Sequence, residues 1–387
     1  AIGRFKSWGI KIAQPDINNS DVTFLPNVNT NTILYGLRGI TNISVDLIKE
    51  IIKGRPYTSF EDFNNRIPTT KVQMVNLIKA GCFDSISGIP KTDLMYKYLD
   101  SVTDKKTSLS LSSMATILEY NLLPANMAAL RKIYAFNKDL KTWKKGENYI
   151  LPDNAVNFIG KVFTIDMLLN GNELPVKTWK SAYDDAMSPL KEYIKNNKQA
   201  MLTTINARLL DDMIKKYANG TTNKWEMESL SFYYHEHELA KLRLATAVFD
   251  NLPKKPTTTN FVNTRKGDKI PIYDLQLIAG TVIDKNKTKN TVTLLTTDGV
   301  VLVKVYKDSF SEYDKQISKI GEDGKKHVIE KSWFTKGTLL VVQGIRRDDN
   351  FILKKYKSSY YPTISKIAEI AADGTPSLIF ARAEADD

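Results

Sequence analysis

The feature that most constrains this chain is a change of hydrophobic period near residue 268. Between Gly36 and about residue 250 apolar residues recur mostly at helical spacing; beyond 268 they alternate in twos, and a segment patterned for one period does not settle as the other. Leu277 to Asp284, Thr291 to Thr297 and Val300 to Lys307 read as three strands, with Asp298-Gly299 a tight hairpin signal between the last two. Ser309 to Ile320 returns to helical spacing, and Thr338 to Ile345 and Phe351 to Tyr356 read as two further strands. Three strands, one helix, two strands is the chain order of an OB-fold, a small Greek-key barrel that binds oligonucleotides on one face. Such barrels also serve as protein adaptors, and that reading stays open here.

Residues 1–35 alternate short apolar runs with turn chemistry at Gln14-Pro15-Asp16, Asn18-Asn19-Ser20 and Pro26-Asn27, which predicts loops and short strands. From Gly36 to about Lys53 the spacing becomes helical. Val45, Ile48 and Ile52 form a stripe that Leu47 and Ile51 widen; Ser44 stands where an N-cap belongs, and Gly54 with Pro56 ends the helix. A second helical unit runs from Lys71 to Ala80 and stops at Gly81. Residues 91–250 are mostly helical in pattern, broken near Pro124, Gly146 to Pro152, Gly160, Gly171 to Pro175, Pro189 and Asn219-Gly220. Asn251 to Gly267, with Pro253, Pro256 and three consecutive threonines, reads as a linker. Residues 359–387 read as a tail.

A chain of 387 residues exceeds what one core usually holds, so two or three domains are expected. Hydrophobic content of 42% with 10% aromatics excludes wholesale disorder. The single cysteine, Cys82, excludes an intrachain disulfide and fits a reducing, cytoplasmic compartment. No apolar run in this chain is long enough to span a bilayer and none reads as a secretory h-region, so no membrane partner is expected. The start at Ala1, without methionine, suggests a processed chain or a fragment. A net charge of +12 and a pI near 9.3 point to a polyanionic partner, although a basic surface also serves solubility.

The turn Arg38-Gly39-Ile40-Thr41-Asn42-Ile43-Ser44 leads into the first helix. A tight hairpin of this kind turns successive backbone N–H groups outward beside a helix N-terminus, where they receive a phosphate without reading the base. Arg38, Gly39, Thr41, Asn42 and Ser44 would form that site, with Lys49 and Lys53 adding charge; an ordinary helical hairpin is the competing reading. In Thr69 to Ser85, Lys71 and Lys79 would flank a second phosphate. Cys82 has no histidine nearby in sequence and reads as a buried small residue, not a nucleophile.

No catalytic residue is assigned. Two-metal phosphoryl transfer needs carboxylates that hold two cations about 4 Å apart, whereas Asp16 and Asp21 lie in a turn-rich stretch and no Asp-x-Asp stands on a strand. No metal ligand is assigned either: in His235-Glu236-His237-Glu238, i,i+2 spacing on a helix puts the histidines on different faces, with no third ligand in view. In the barrel, Lys285, Lys287 and Lys289 occupy the loop joining the first two strands, and Arg346 and Arg347 the loop joining the last two. These loops flank the binding face of an OB-fold, where Lys304, Tyr306 and Phe351 would supply charge and stacking. Exposed hairpin loops are polar for solubility alone, which is the plainer alternative.

Five ordered stretches carry a resemblance. They are Trp8-Gly9-Ile10-Lys11-Ile12, Pro15-Asp16-Ile17-Asn18, Gly36-Leu37 with Ile40, Ser59-Phe60-Glu61-Asp62-Phe63, and Leu77 through Gly81-Cys82-Phe83-Asp84-Ser85. Together they resemble the C-family replicative DNA polymerases, the alpha subunit of bacterial DNA polymerase III, in the segment that follows the palm. Glu226 to Leu239 is similar to the family's short helical motif ahead of its OB domain, with His237 at the family's histidine. The likeness is close over residues 8–88 and 225–245, topological over the barrel and absent over roughly 100–220. The family's hairpin carries two glycines around a small aliphatic residue, whereas Asn42 and Ser44 flank Ile43 here; Asn tolerates the left-handed region and Ser can cap. Abundant Lys, Asn, Ile and Tyr point to an AT-rich genome and a divergent bacteriophage enzyme.

The resemblance implies an α+β multidomain chain in which a helical region with tandem helix-hairpin-helix motifs precedes an OB-fold β-barrel. Its expected divisions are the end of a fingers-like segment (1–35), the hairpin region (36–90), a divergent helical region (91–250), a linker (251–267), the OB-fold (268–358) and a tail (359–387). The implied function is to hold duplex and single-stranded DNA for the remainder of a polymerase whose palm, with its Mg2+, lies outside this chain, so no cofactor is expected within it. Gln199-Ala200-Met201-Leu202 is similar to a clamp-binding peptide without its terminal aromatic, which keeps a sliding clamp among the partners considered. A stand-alone replication accessory protein and an OB-fold protein adaptor are the alternatives.

Overall fold

The structure, a computed structural model, describes residues 9–163, 169–321 and 326–384; Trp8 of the first motif lies outside them. The chain forms two compact units, one from residues 1–98 together with 218–387 and one from residues 99–217. The region read from sequence as 91–250 is thus wider than the unit it contains.

The first unit opens with a small sheet of β1 (Lys11–Ala13), β2 (Leu25–Asn27) and β3 (Thr32–Leu34), ordered β1-β3-β2. A turn at residues 16–20 hangs on Asp16, whose Oδ1 accepts the amides of Asn18 and Asn19, each at 2.9 Å. Asn18 then pairs with both backbone groups of Tyr57, at 2.8 and 2.9 Å. At Gly36 a Cβ would lie 2.4 Å from the carbonyl carbon of Thr23, so only glycine lets these segments pass. A single 3-10 turn, Leu37–Gly39, precedes α1 (Val45–Lys53), α2 (Phe60–Arg66), α3 (Lys71–Lys79) and α4 (Lys91–Val102), within which the division at residue 98 falls. Ser44 caps α1 as its position predicts, accepting the Leu47 amide at 3.3 Å, and Thr70 caps α3 in a reciprocal pairing with Gln73. Leu47, Ile48 and Ile51 are buried while Asp46, Lys49 and Glu50 face solvent. Behind them Tyr57, Phe60, Phe63, Phe83 and Tyr98 meet edge to face, with centroids 4.9–6.1 Å apart.

The second unit holds α5 (Met114–Glu119), α6 (Ala128–Asp139), β4 (Lys144–Lys145), β5 (Asn148–Ile150), α7 (Asp153–Val162), β6 (Glu173–Pro175) and α8 (Val176–Tyr217). Its three short strands form a sheet ordered β4-β5-β6, which the helical reading of this stretch did not include. Trp179 centres the core, against Phe136 and Phe163 at 5.4 and 5.5 Å, with its Nε1 donating to Asn137 at 2.8 Å. α8 has 42 residues, about 63 Å of helix, and carries Pro189 inside it. Met201 and Leu202 are buried core residues within α8. The 199–202 stretch is therefore helical rather than an extended clamp-binding peptide, and its two large apolar side chains, Met201 and Leu202, are already packed.

The chain returns to the first unit with α9 (Thr222–Leu230), which stops at Ser231 in the left-handed conformation (φ 58°). Of the Glu226–Leu239 motif, only the part up to Leu230 is helical. The expected linker is partly sheet: β7 (Thr258–Asn263) pairs with β8 (Lys269–Tyr273) as an exposed ribbon. The barrel follows in the expected order, with β9 (Gln276–Asn286), β10 (Thr291–Leu295), β11 (Val300–Lys304) and α10 (Lys307–Asp314). Ile317–Ile320, read as the end of that helix, is instead β12, paired with β13 (Lys326–Glu330). Then come β14 (Leu339–Arg347) and β15 (Asn350–Leu353). β9 pairs with β10 and β14, β10 with β11, β14 with β15, and β11 closes the barrel by pairing with β15 in parallel. Gly344 allows the last crossing, since a Cβ there would sit 2.1 Å from the Ile352 carbonyl oxygen. Valines, leucines, Phe310, Trp333, Phe334 and Phe351 fill the interior. The expected tail continues the sheet: β16 (Ile364–Ile370) pairs with β14, and β17 (Pro376–Ile379) with β16.

Candidate nucleic-acid interface

The first hairpin has the backbone that its residue types require. Asn42 is left-handed (φ 62°), a conformation its short side chain tolerates, and the Ser44 cap opens α1 two residues later. The amides of Asn42 and Ser44 donate to no other group among the described residues, and both residues are exposed, as are Arg38, Gly39 and Lys49. Lys49 is shared with Asp46 at 3.8 Å on the surface. Lys53 is exposed but stands in the last turn of α1, at the far end from the hairpin.

Thr41 differs from the expectation. Its amide donates to the Ser229 carbonyl at 2.8 Å, and its hydroxyl reaches the carbonyls of Glu228 and Ser229 at 3.0 and 3.1 Å. The hairpin is thus bolted to the C-terminal turn of α9, where Lys336 of the barrel side also donates to Thr41 Oγ1 and Glu228 O, both at 3.3 Å. Burial pushes the Lys336 ammonium below its usual range, against the pull of Glu228. Lys79 is taken out of the interface in the same way: it is buried and pairs with Glu228 at 2.6 Å. Lys71 stands half-buried at the start of α3. Tyr35 Oη donates to Leu230 O at 2.6 Å, and burial raises its pKa to about 12.

The histidine pair divides as its spacing implied, although not on a helix. His235 Nδ1 meets the buried Glu226 carboxylate, whereas His237 Nδ1 accepts the Leu239 amide at 3.0 Å. The hydrogen therefore sits on His237 Nε2, which donates to Leu295 O of the barrel at 3.0 Å. Tyr233 adds a bond to Thr281 Oγ1 at 3.0 Å. The 226–239 motif is accordingly a tie between hairpin region and barrel. Among the described residues no group of three His, Cys, Asp or Glu side chains gathers to hold a metal ion. Asp16 is committed to its turn and to Ser85, and Cys82 is fully buried, which drives its thiol pKa up.

In the barrel, Lys287 and Lys289 project from the β9–β10 loop, while Lys304 and Tyr306 are exposed at and just beyond the end of β11. Lys285 is paired with Asp314. Two assignments fail. Phe351 points into the barrel and is fully buried, so no base can stack on it. Arg346 is 8% exposed, its guanidinium donating to the carbonyls of Phe249, Leu252 and Asp348 at 2.7–2.9 Å; it staples the 249–252 segment down. Arg347, one residue on, does point out, lying over Tyr273 at 5.7 Å. The outward side of β11 is otherwise aliphatic, with Val300 and Leu302 exposed.

Sequence reasoning missed a second cationic and aromatic surface. Beyond β15, Lys355, Lys357, Tyr360, Tyr361 and Phe380 line an open groove of about 550 Å³. Interleaved Lys and Tyr in Lys355-Tyr356-Lys357-Ser358-Ser359-Tyr360-Tyr361 was the available signal.

A helix-hairpin-helix motif family matches residues 9–93. The probable DNA polymerase YorL of Bacillus subtilis (strain 168) is 39% identical over 403 residues, covering 99% of this chain and 30% of that protein. The chain is homologous to part of a DNA polymerase. The DNA-directed DNA polymerase of Bacillus phage SPbeta aligns with the same figures, and the DNA polymerase III subunit alpha of Treponema pallidum (strain Nichols) is 32% identical over 123 residues, 30% of this chain and 10% of that one. The resemblance to the C-family replicative polymerases therefore holds, and one of these relatives is a phage protein. The chain spans 30% of the length of the first two of these polymerase relatives. No helix among the described residues is long and apolar enough to cross a membrane.

Proposed function

We propose that this chain is the DNA-gripping part of a replicative polymerase, holding duplex through the first hairpin and single strand through the barrel region. One observation carries the duplex half: left-handed Asn42 beside the Ser44 cap leaves backbone donors facing solvent at a helix N-terminus, with Arg38 alongside. Fixed N–H groups and the helix dipole favour an anion there irrespective of base sequence. The charge of +12 supplies the long-range attraction. Primer extension would belong to a palm elsewhere in the polymerase, where carboxylates hold Mg2+. A clamp contact stays outside this reading, because the peptide considered for it is packed in α8.

The barrel also has an observation favouring a protein adaptor, since the exposed side of β11 offers Val300 and Leu302 rather than rings. The deciding experiment is duplex binding by the whole chain across a salt series. Parent affinity should fall steeply with salt for any sequence. Replacing Arg38, Lys49 and Lys53 together by alanine should flatten the log–log slope by roughly 1–3, at about 0.9 for each phosphate no longer neutralised. A slope that stays the same in the triple variant makes the hairpin purely structural.

A further inference from the structure

We infer that the groove beyond β15 is a single-strand site, in which an unstacked base lies on Tyr360 while Lys355 and Lys357 hold the flanking phosphates. This rests on the reading of the chain as a DNA-gripping part, and it moves the stacking platform away from the barrel face. Phe351 cannot serve, and Tyr306 stands alone beside aliphatic neighbours on β11.

The groove is built rather than accidental. The Ser359 amide donates to Tyr356 O at 3.0 Å while the Tyr356 amide donates to Ser359 Oγ at 2.9 Å, closing the turn on both sides. Tyr356 Oη accepts the Tyr273 amide at 2.8 Å, and Gln343 of β14 donates to Tyr361 O at 3.1 Å. The loop is therefore anchored at both ends before any ligand arrives, which lowers the ordering cost of binding. Inside it Tyr360 is 77% exposed and touches Tyr361 and Phe380 at right angles, with centroids 4.9 and 5.7 Å away. Rings held edge to face, with most of one ring bare to solvent, leave that ring open to a flat partner.

Charge complementarity selects the partner. Lys355 and Lys357 are exposed and make no ion pair among the described residues. Lys354 lies 5.7 Å from the Tyr356 ring and 5.5 Å from that of Tyr273, over which Arg347 also sits. The cationic track thus continues from the β14–β15 loop into the groove. Lysines interleaved with open rings fit a polyanion with flat, unpaired bases; duplex keeps its bases stacked and cannot use Tyr360.

The test is binding of oligothymidine and of a duplex to the whole chain, with melting temperatures confirming that each variant is folded. Tyr360→Ser should weaken oligothymidine binding about five-fold or more, and Tyr360→Phe should not. Lys355→Glu with Lys357→Glu should also weaken it and reduce the salt slope by roughly 1.4, at about 0.7 per single-strand phosphate. Duplex affinity should respond far less to Tyr360→Ser. If the parent binds oligothymidine and these variants match it, the groove is not the site, although the DNA-gripping reading survives. A parent that binds duplex but no oligothymidine also overturns the groove. A parent that binds neither overturns both.

Discussion

Thr41 shows how one side chain can be read correctly as belonging to a motif and still be given the wrong partner. Its donors face inward to α9, leaving Asn42 and Ser44 as the outward members of the turn. Thr41→Val keeps the shape but removes the hydroxyl, so Glu228 O, Ser229 O and Lys336 each lose one partner. About 1–2 kcal/mol of stability should go, seen as a lower urea midpoint at unchanged slope; an unaltered midpoint would mean the tie is idle. Glu238 gives a pH-dependent case. Burial raises its carboxyl pKa, against the opposing effect of the Tyr233 hydroxyl that donates to it at 2.7 Å. A raised folded-state pKa favours the native state below the ordinary carboxylate range, and that advantage is lost as pH rises through the folded value. Glu238→Gln retains an acceptor for Tyr233 without the charge. It should melt above the parent at about pH 8 and converge with it near about pH 4. A difference that ignores pH would show that charge burial is not the cause.

At the scale of elements, period two explains both the successes and the misses. The barrel strands were legible because apolar residues alternate along them, as in β11, where Val301 and Val303 face in and Leu302 and Lys304 face out. β14 is buried nearly throughout, but strand neighbours still point to opposite sides, so at its end Arg346 is buried and Arg347 exposed rather than acting as twin loop charges. Asn350 likewise begins β15 and sends Phe351 inward, opposite Val303. Phe351→Ala should therefore cost about 3–5 kcal/mol in thermal or urea unfolding, as a large core truncation does. Removing the exposed Tyr306 ring should shift stability by no more than about 0.5 kcal/mol. Equal costs would contradict the register. The strand in the tail was hidden for the opposite reason. Ile364, Ile367 and Ile370 are three apart, which shows no period of two: Ile364 joins the barrel core, Ile367 packs in a separate cluster with Ala279 and Val341, and the register shifts between Ile367 and Glu369. Three threonines beside two prolines suggested a linker, yet β-branched residues suit the exposed β7 ribbon.

For the whole molecule, the order of parts was legible because motifs and periods stand in line along the chain. The division into units was not. Strands of two or three residues, such as β4 and β5, carry no period, so the sheet in the middle unit left no mark. Nothing in a linear reading said that residues 218 onward fold back with residues before 99. That return has a consequence in time. Thr41 meets Ser229 across 188 residues of chain, and ribosomes add roughly 5–20 residues per second. For roughly ten to forty seconds of synthesis the nascent hairpin has no α9 to seat against, while the intervening unit emerges and can pack by itself. Within this chain the hairpin is therefore made well before its seat, and a pause or truncation between residues 99 and 217 would strand it unfinished.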